Sequence, residues 1–507
     1  MKQHAALIAA LALLAAPYAI WSFSGQPAHL GDDPLDYLMM ARHYAPYWPH
    51  DAVLAQFAAQ SRFPPLYPLI LAFTGGAANF YAAHEITTAL LFLAVVALYA
   101  WLRIERVASA GAAAIALLTL LLPSTWLLAL STQSEFAYLA FSALALTAFA
   151  LHRRDGAARM LYLAAAATAA AVLTRTIGIA LLPPLLLSLL QRRDRQGLIA
   201  LAIALAPALV WHVAHRPQVG YDAALSIYYG KDFLRHLAPQ VLNEALTLRQ
   251  ALSEDLSRWN TLQRFCDLLA IVIIAINVRR ALRLHADAVY ALGFLGILLV
   301  WPYPEVAGRL LWPILPIGLG QIMIAIGGLA DARPGWGVRS LVAAGYVAAI
   351  VMIVLPTLAF LAERYRTPSL SGIEDVNRYE TWYAIDPVAA ENRVISIRGL
   401  MHAMADVAND VPSGECVISV QPEDVTWFSG RLGVPPPPDA IPSPRFEERL
   451  LATGCRYLFM YSASHPMFPM LHPLHRVKDR VDVLEISVID GLTPEDKKTV
   501  AVTARLR

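Results

Sequence analysis

The sequence predicts an α-helical polytopic membrane domain of the first 361 residues followed by a small extracytoplasmic α/β domain, and three observations carry that reading. Of 507 residues, 57% are hydrophobic and only 15% charged, with a mean hydropathy of +0.50; in a soluble globular protein about a quarter of the residues are charged. Apolar runs of spanning length recur up to Leu361, about eleven in all. Beyond Leu361 charged residues and prolines return, and the apolar runs shorten to strand length. The formal charge of +2, with no basic tract interleaved with aromatics, gives no footprint for nucleic acid. Three cysteines without Cys-x-x-Cys or zinc spacing give no metal motif.

The chain opens with one lysine ahead of an apolar run over Met1 to Trp21. Pro17, Trp21 and Phe23 make a poor small-residue cleavage site, so the run reads as an uncleaved first span with Lys2 in the cytoplasm. Residues 22–82 are too polar and too rich in proline to span; they form an extracytoplasmic loop with half-apolar surface helices around Asp33 to Tyr44 and Pro64 to Thr74. Spanning runs follow at 84–102, 110–130, 134–151, 159–174, 176–191, 197–214, 264–280, 286–302, 309–329 and 338–361. Arg103 and Arg106, Arg153 and Arg154, Arg192 and Arg193, Arg279 and Arg280, and Arg333 with Arg339 fall in alternate connections, as the positive-inside rule requires of cytoplasmic loops. The topology that satisfies all of them has a cytoplasmic N-terminus in a bacterial inner membrane. It places outside the 22–82 loop, the turns at 123–134 and 174–176, the loop 215–263, the turn at 302–309 and the domain 362–507.

In that second domain, strands are expected from Cys416, from Tyr457 to Tyr461 and from Val481 to Val488, with helices at Gly399 to Asn409 and Arg445 to Ala452. Pro435 to Pro438 form a stiff connector or a partner surface. Lacking a nucleophile motif, a phosphate-cradling glycine loop or a metal spacing, the domain reads as a lid or recognition module. Cys416 and Cys455 each head a strand in an oxidising compartment and either pair or pack as two core thiols; Cys266, inside a span, stays free.

The stretch around which the rest is organised is Gly31 to Arg42, with Asp32, Asp33 and Asp36 at a membrane surface where an unpaired charge is costly to bury. Pro34 suits the first turn of a helix and Asp33 its capping position, with Tyr37 one turn on. An ordinary solvated cap is the bland alternative. The topology adds Arg62, Glu135, Arg175, Glu305 and Arg309 on the same outer side. Each alone could snorkel, but carboxylates that accept a proton and arginines that bind phosphate at one membrane depth point to a lipid-phosphate ligand.

On these residues the sequence resembles the GT-C superfamily of membrane glycosyltransferases, in the branch of the lipid A aminoarabinose transferase and the protein O-mannosyltransferases. The likeness covers the whole architecture. The family's Asp-Glu-x-x-Tyr-x-x-x-Ala-Arg pattern is matched by Asp33-Pro-Leu-Asp-Tyr37 and then Ala41-Arg42, with Pro34 where Glu is usual. This register puts the catalytic aspartate at Asp33, with Asp32 immediately before it as the alternative. Arg62 matches a basic residue ahead of Pro-Pro-Leu with one residue inserted, Glu135 an acidic residue at the start of a span, and Arg175 and Arg309 arginines flanking the lipid-phosphate cavity.

The resemblance implies transfer of a sugar, with inversion, from a polyprenyl-phosphate donor to an extracytoplasmic glycolipid, glycan or protein. It implies Asp33 or Asp32 as catalytic base and Arg62, Tyr37, Glu135, Arg175, Glu305 and Arg309 as substrate-binding residues. No cofactor is required; a divalent cation, where there is one, would lie where Asp33 and Glu135 meet. Two other functions are compatible with the spans: a lipid-linked sugar transporter or flippase, and a non-catalytic assembly subunit of GT-C type. Matched inverted halves and glycine-broken mid-span helices, which would favour a transporter, are not evident.

Overall fold

The computed structural model describes residues 2–23, 33–192, 195–215, 238–239, 241–242, 260–301, 307–332, 387–437, 445–461, 464–465, 468–469, 478–490 and 497–507. Asp32, Glu305, most of the loop expected at 215–263 and the expected span 338–361 lie outside the described residues, and nothing is described of the Cys266 side chain.

The chain starts with α1 (Lys2–Phe23) and then three short helices, α2 (Pro34–Tyr44), α3 (Ala52–Gln60) and α4 (Leu66–Thr74). Asp51 caps α3 through the amides of Val53 and Leu54, 2.7 and 3.2 Å away, and Gly75 ends α4 in the left-handed conformation. The helical core follows: α5 (Phe80–Ile104), α6 (Ser109–Leu121), α7 (Pro123–Leu128), α8 (Glu135–Asp155), α9 (Ala158–Thr174), α10 (Leu182–Arg192) and α11 (Arg195–Ala214). Further along the chain come α12 (Asn260–Ala281), α13 (Ala286–Leu298), α14 (Ala307–Leu311) and α15 (Leu315–Ala332).

Three of these, α5, α8 and α11, are by themselves long and apolar enough to cross a bilayer, with mean hydropathies of 1.9, 1.4 and 2.1; α1, α6, α9, α13 and α15 hold shorter apolar stretches, as does α10 with its 3-10 lead-in. The run expected at 110–130 is broken: Pro123 cannot continue α6 and instead opens α7. The apolar run expected at 309–329 is likewise divided between α14 and α15.

Helix α8 is the axis of the bundle, packed between α5 and α9, with α11 beyond α9. It starts at Glu135 and ends in His152, Arg153 and Arg154, so its two charged ends stand about 30 Å apart along the axis, the thickness of a hydrocarbon core. At the C-terminal end Arg153 meets Glu105 at 2.6 Å, and Arg280 grips Asp287 with two hydrogen bonds of 3.0 and 2.9 Å. Helix α1 is tied in by Tyr18, whose hydroxyl donates to the Leu120 carbonyl, and by Trp21, whose indole N–H donates to the Trp126 carbonyl at 2.7 Å.

The second domain holds α16 (Pro387–Asp410), β1 (Cys416–Ile418), α17 (Pro422–Ser429), β2 (Leu432–Val434), α18 (Phe446–Leu451) and β3 (Tyr457–Tyr461). The small pair β4 (Ser464–His465) and β5 (Phe468–Pro469) precedes the long hairpin β6 (Val481–Asp490) and β7 (Lys497–Leu506). The main sheet runs β2-β1-β3-β7-β6, with β1 parallel to both neighbours and β7 antiparallel to β3 and β6. Cys416 and Cys455, at the heads of adjacent parallel strands, form a disulfide. Strand β2, strand β7 and helix α17 were not legible as separate elements in the sequence.

One expectation is corrected. Helix α2 was expected to lie on the membrane surface with a wet face, but Pro34 through Ala41 are all buried. Tyr37, Leu38, Met40 and Ala41 pack into the core of the bundle, while Leu35 and Met39 pack with Ile418, Leu432, Leu458 and Leu506 of the second domain. The helix has apolar residues on both sides because two domains cover it. Arg42 completes the join, its guanidinium carbon lying 4.4 Å from the Trp48 ring centre and 4.0 Å from that of Trp427 on α17.

Candidate active site

Four helix ends from distant parts of the chain meet beside the N-terminus of α2. Asp33 occupies the N-cap position, yet its side chain caps no amide; its Oδ2 instead accepts from Arg309 Nη2 on α14 at 2.8 Å. Arg309 reaches on with Nε to Glu135 Oε1 at 3.1 Å and with Nη1 to Gln133 Oε1 at 3.3 Å. Arg175, the residue after α9, has its Nη1 2.9 Å from the same Glu135 oxygen and 2.9 Å from Ser134 Oγ. Tyr37, one turn along α2 from Asp33, shares a 2.9 Å hydrogen bond with that serine hydroxyl. The contacts to Glu135 are ion pairs without the alignment of hydrogen bonds, since neither carboxylate oxygen has a hydrogen-bond partner.

Local structure fixes each group. Pro34 starts α2 and leaves the Asp33 side chain free to turn away from its own helix. Glu135 is the first residue of α8, where the helix dipole favours a carboxylate. After Arg175 the chain folds back against α9 so closely that a Cβ on Gly178 would lie 2.6 Å from backbone atoms of Ala171 and Val172; only glycine allows that approach. The Tyr37 ring is held edge-on by Tyr67 and Phe63, with centres 5.0 and 5.2 Å away.

The cluster is secluded: the side chains of Glu135, Arg309, Arg175 and Asp33 are 1, 10, 12 and 14% exposed. Burial opposes ionisation of Asp33, but Arg309, Arg175 and Arg62 together outweigh it and hold the carboxyl below its usual range. Asp36 behaves oppositely. Burial, and then the Glu423 carboxylate from α17, push it well above the usual range against the pull of Arg62 and the Ser61 hydroxyl. Glu423 comes near because β2 passes under α17, where a Cβ on Gly433 would lie 2.1 Å from the Pro422 carbonyl oxygen.

Of the residues expected from sequence, Asp33, Tyr37, Glu135, Arg175 and Arg309 are therefore in one network, and Arg62 acts on it electrostatically. Asp33 and Glu135, expected to hold a cation if there is one, are bridged by the Arg309 guanidinium. Among the described residues no three His, Cys, Asp or Glu side chains gather as a metal site. Sequence reasoning missed Gln133 and Ser134 as partners of the arginines, although the polar run Ser-Thr-Gln-Ser-Glu in an apolar stretch was a visible signal. It assigned no role to Asp36, and nothing in the sequence pointed to Glu423.

The fold is similar to that of solved structures of an archaeal oligosaccharyltransferase. The archaeal oligosaccharyltransferase AglB from Archaeoglobus fulgidus, solved with an inhibitory peptide and a dolichol-phosphate, matches over 89% of this chain and 69% of its own, at 12% identity and a TM-score of 0.51. The A. fulgidus oligosaccharyltransferase tethered to an acceptor peptide matches over 90% of this chain and 69% of its own, at 12% identity and a TM-score of 0.50. ArnT from Cupriavidus metallidurans bound to undecaprenyl phosphate aligns over 97% of both chains at 14% identity and a TM-score of 0.48. No protein-family model matches the chain, and no curated protein does.

Proposed function

We propose that this chain is a polyprenyl-phosphate-sugar-dependent glycosyltransferase that moves a sugar, with inversion, to an acceptor outside the cytoplasm. The observation that carries the reading is Asp33: a side chain placed to cap its own helix that meets a guanidinium instead, in a secluded group of two carboxylates, Asp33 and Glu135, and two arginines, Arg175 and Arg309, with the exposed Arg62 near enough to act on Asp33. With both carboxylates ionised and Arg62 counted with them, the site carries one surplus positive charge, which suits a phosphodiester linking sugar to lipid. A solved structure of this fold holds a dolichol-phosphate, a lipid of that chemistry.

In the reaction so assigned, the acceptor's oxygen or nitrogen attacks the anomeric carbon and its proton passes to the Asp33 carboxylate. The bond from that carbon to the phosphate oxygen breaks, and its electron pair stays on the lipid phosphate beside the arginines. A single displacement inverts the carbon. The arginines that keep Asp33 ionised also weaken it as a base, so the proton moves only as the new bond forms and acidifies the acceptor. The arginines can offset the leaving-group charge, and between Asp33 and Glu135 lies the Arg309 guanidinium.

The test is release of polyprenyl phosphate by the purified chain in lipid nanodiscs, given a panel of polyprenyl-phosphate sugars and envelope acceptors. The reading expects release that depends on both donor and acceptor. Binding of a donor followed by its translocation without cleavage would replace it with the transporter reading, and binding without either would leave an assembly subunit.

A further inference from the structure

Ser131, Thr132 and Gln133, between α7 and α8, are each 1% exposed, yet Ser131 Oγ, Thr132 Oγ1 and Gln133 Nε2 have no hydrogen-bond partner. Their backbone is well held: the Ser131 amide donates to Leu128 at 3.1 Å and the Gln133 amide to Ser131 at 2.9 Å. It is these buried side-chain atoms that lack partners. Buried polar groups are costly to leave unpaired, and three in succession are not explained by packing. Other unpaired hydroxyls, such as Thr88 and Thr168, sit singly within helices; this group is outside any helix and runs directly into Ser134 and Glu135, which bind the site arginines.

The orientation of the glutamine amide follows from its partner. Arg309 can only donate, so the atom 3.3 Å from its Nη1 is the amide oxygen, and the two N–H donors point away from the guanidinium. We propose that Ser131, Thr132 and Gln133 form the subsite that reads the ring hydroxyls of the donor sugar, next to the arginines that take its phosphate. The inference rests on the transferase reading above and names the part of the donor this strip recognises. All three open groups are uncharged, which matches hydroxyls of a neutral sugar in preference to a carboxylate or an ammonium on the ring. Such a strip is selective because a sugar lacking the matching hydroxyl leaves the same buried groups unpaired.

The experiment measures binding to the full-length protein in nanodiscs of two probes, polyprenyl phosphate and a panel of polyprenyl-phosphohexoses, for the parent chain, Thr132→Val and Ser131→Ala. The parent should prefer at least one hexose-bearing lipid over the bare lipid phosphate, and each variant should reduce that preference by about tenfold while bare lipid phosphate binds as before. Thr132→Val is nearly isosteric and removes an unpaired buried hydroxyl, so it should also raise the thermal stability of the unliganded protein. A variant pair that keeps the parental preference, or weakens both probes equally, overturns the subsite. A parent that binds both probes equally also overturns it and leaves the transferase reading standing, whereas a parent that binds neither probe defeats that reading itself.

Discussion

Replacing Asp33 with Asn tests the reaction most directly, because the structure separates its chemical effect from its structural one. Asn keeps the shape and can still accept from Arg309 Nη2, now 2.8 Å from Asp33 Oδ2. The guanidinium is not stranded by the lost charge, since Glu135 lies 3.1 Å from its Nε and Gln133 accepts at 3.3 Å. The stability cost is thus that of exchanging one charge-assisted hydrogen bond for a neutral one, about 1 kcal/mol. Loss of general-base work costs about 10² to 10⁴ in rate, or about 3 to 5 kcal/mol of barrier.

Initial rates of polyprenyl phosphate release, lipid-phosphate affinity and thermal melting, all in nanodiscs, should therefore show a large fall in the first and small changes in the others. For the parent chain, a base whose folded carboxyl is held below its usual range stays competent through neutrality, and the rate falls only as pH drops through that lowered value. Parental turnover by folded Asp33→Asn would refute the assignment. If Asp32→Asn alone abolishes turnover, the base lies one residue earlier; if neither change matters, the catalytic reading of this stretch is lost.

Three further outcomes follow from the geometry. Arg62→Ala should weaken lipid-phosphate binding about tenfold along with turnover, by loss of a charge-assisted phosphate contact; unchanged affinity would remove Arg62 from the donor site. Asp36→Asn should stabilise the protein at pH 7. The folded-state carboxyl is raised, so the native protein binds the extra proton and loses stability as pH climbs from the unfolded value towards the folded one, by about 1.4 kcal/mol for each pH unit of that climb. Melting curves from pH 4 to 8 check this, and a lower melting temperature for the variant at pH 7 would contradict it. Breaking the Cys416–Cys455 disulfide, which spans 39 residues, should destabilise the second domain by about 4 kcal/mol on chain-entropy grounds; labelling of all three cysteines in unreduced, denatured protein would show that the bond does not form.

Much of the site was legible before the fold because charge is conspicuous in an apolar chain. Glu135, Arg175 and Arg309 stand at the ends of apolar runs, and the alternation of arginine-rich loops assigns those ends to one side. The order of charges along α8, acidic at its start and basic at its end, carries the same information into the structure. Asp33 was singled out by its register with Tyr37, both of which join the network. The run Ser131 to Glu135 was visible as polar residues, but its division into arginine partners and open hydroxyls depends on backbone turns that no periodicity encodes.

What the sequence by itself determined, then, is whatever rests on local composition and spacing: a helical membrane domain, a mixed second domain, the helix started by Pro34 and the candidate charges. The pairing of Asp33 with Arg309 bridges 276 residues, and only tertiary structure could bring it about. The same holds for α2. Its mix of Leu35 and Met39 on one side with Tyr37, Leu38 and Met40 on the other looks locally like a weakly amphipathic surface helix. It is buried because its second cover, with Ile418, Leu432 and Leu458, arrives from a domain nearly four hundred residues later. Burial is a property of what else lies within a few ångströms, and that chain order does not record.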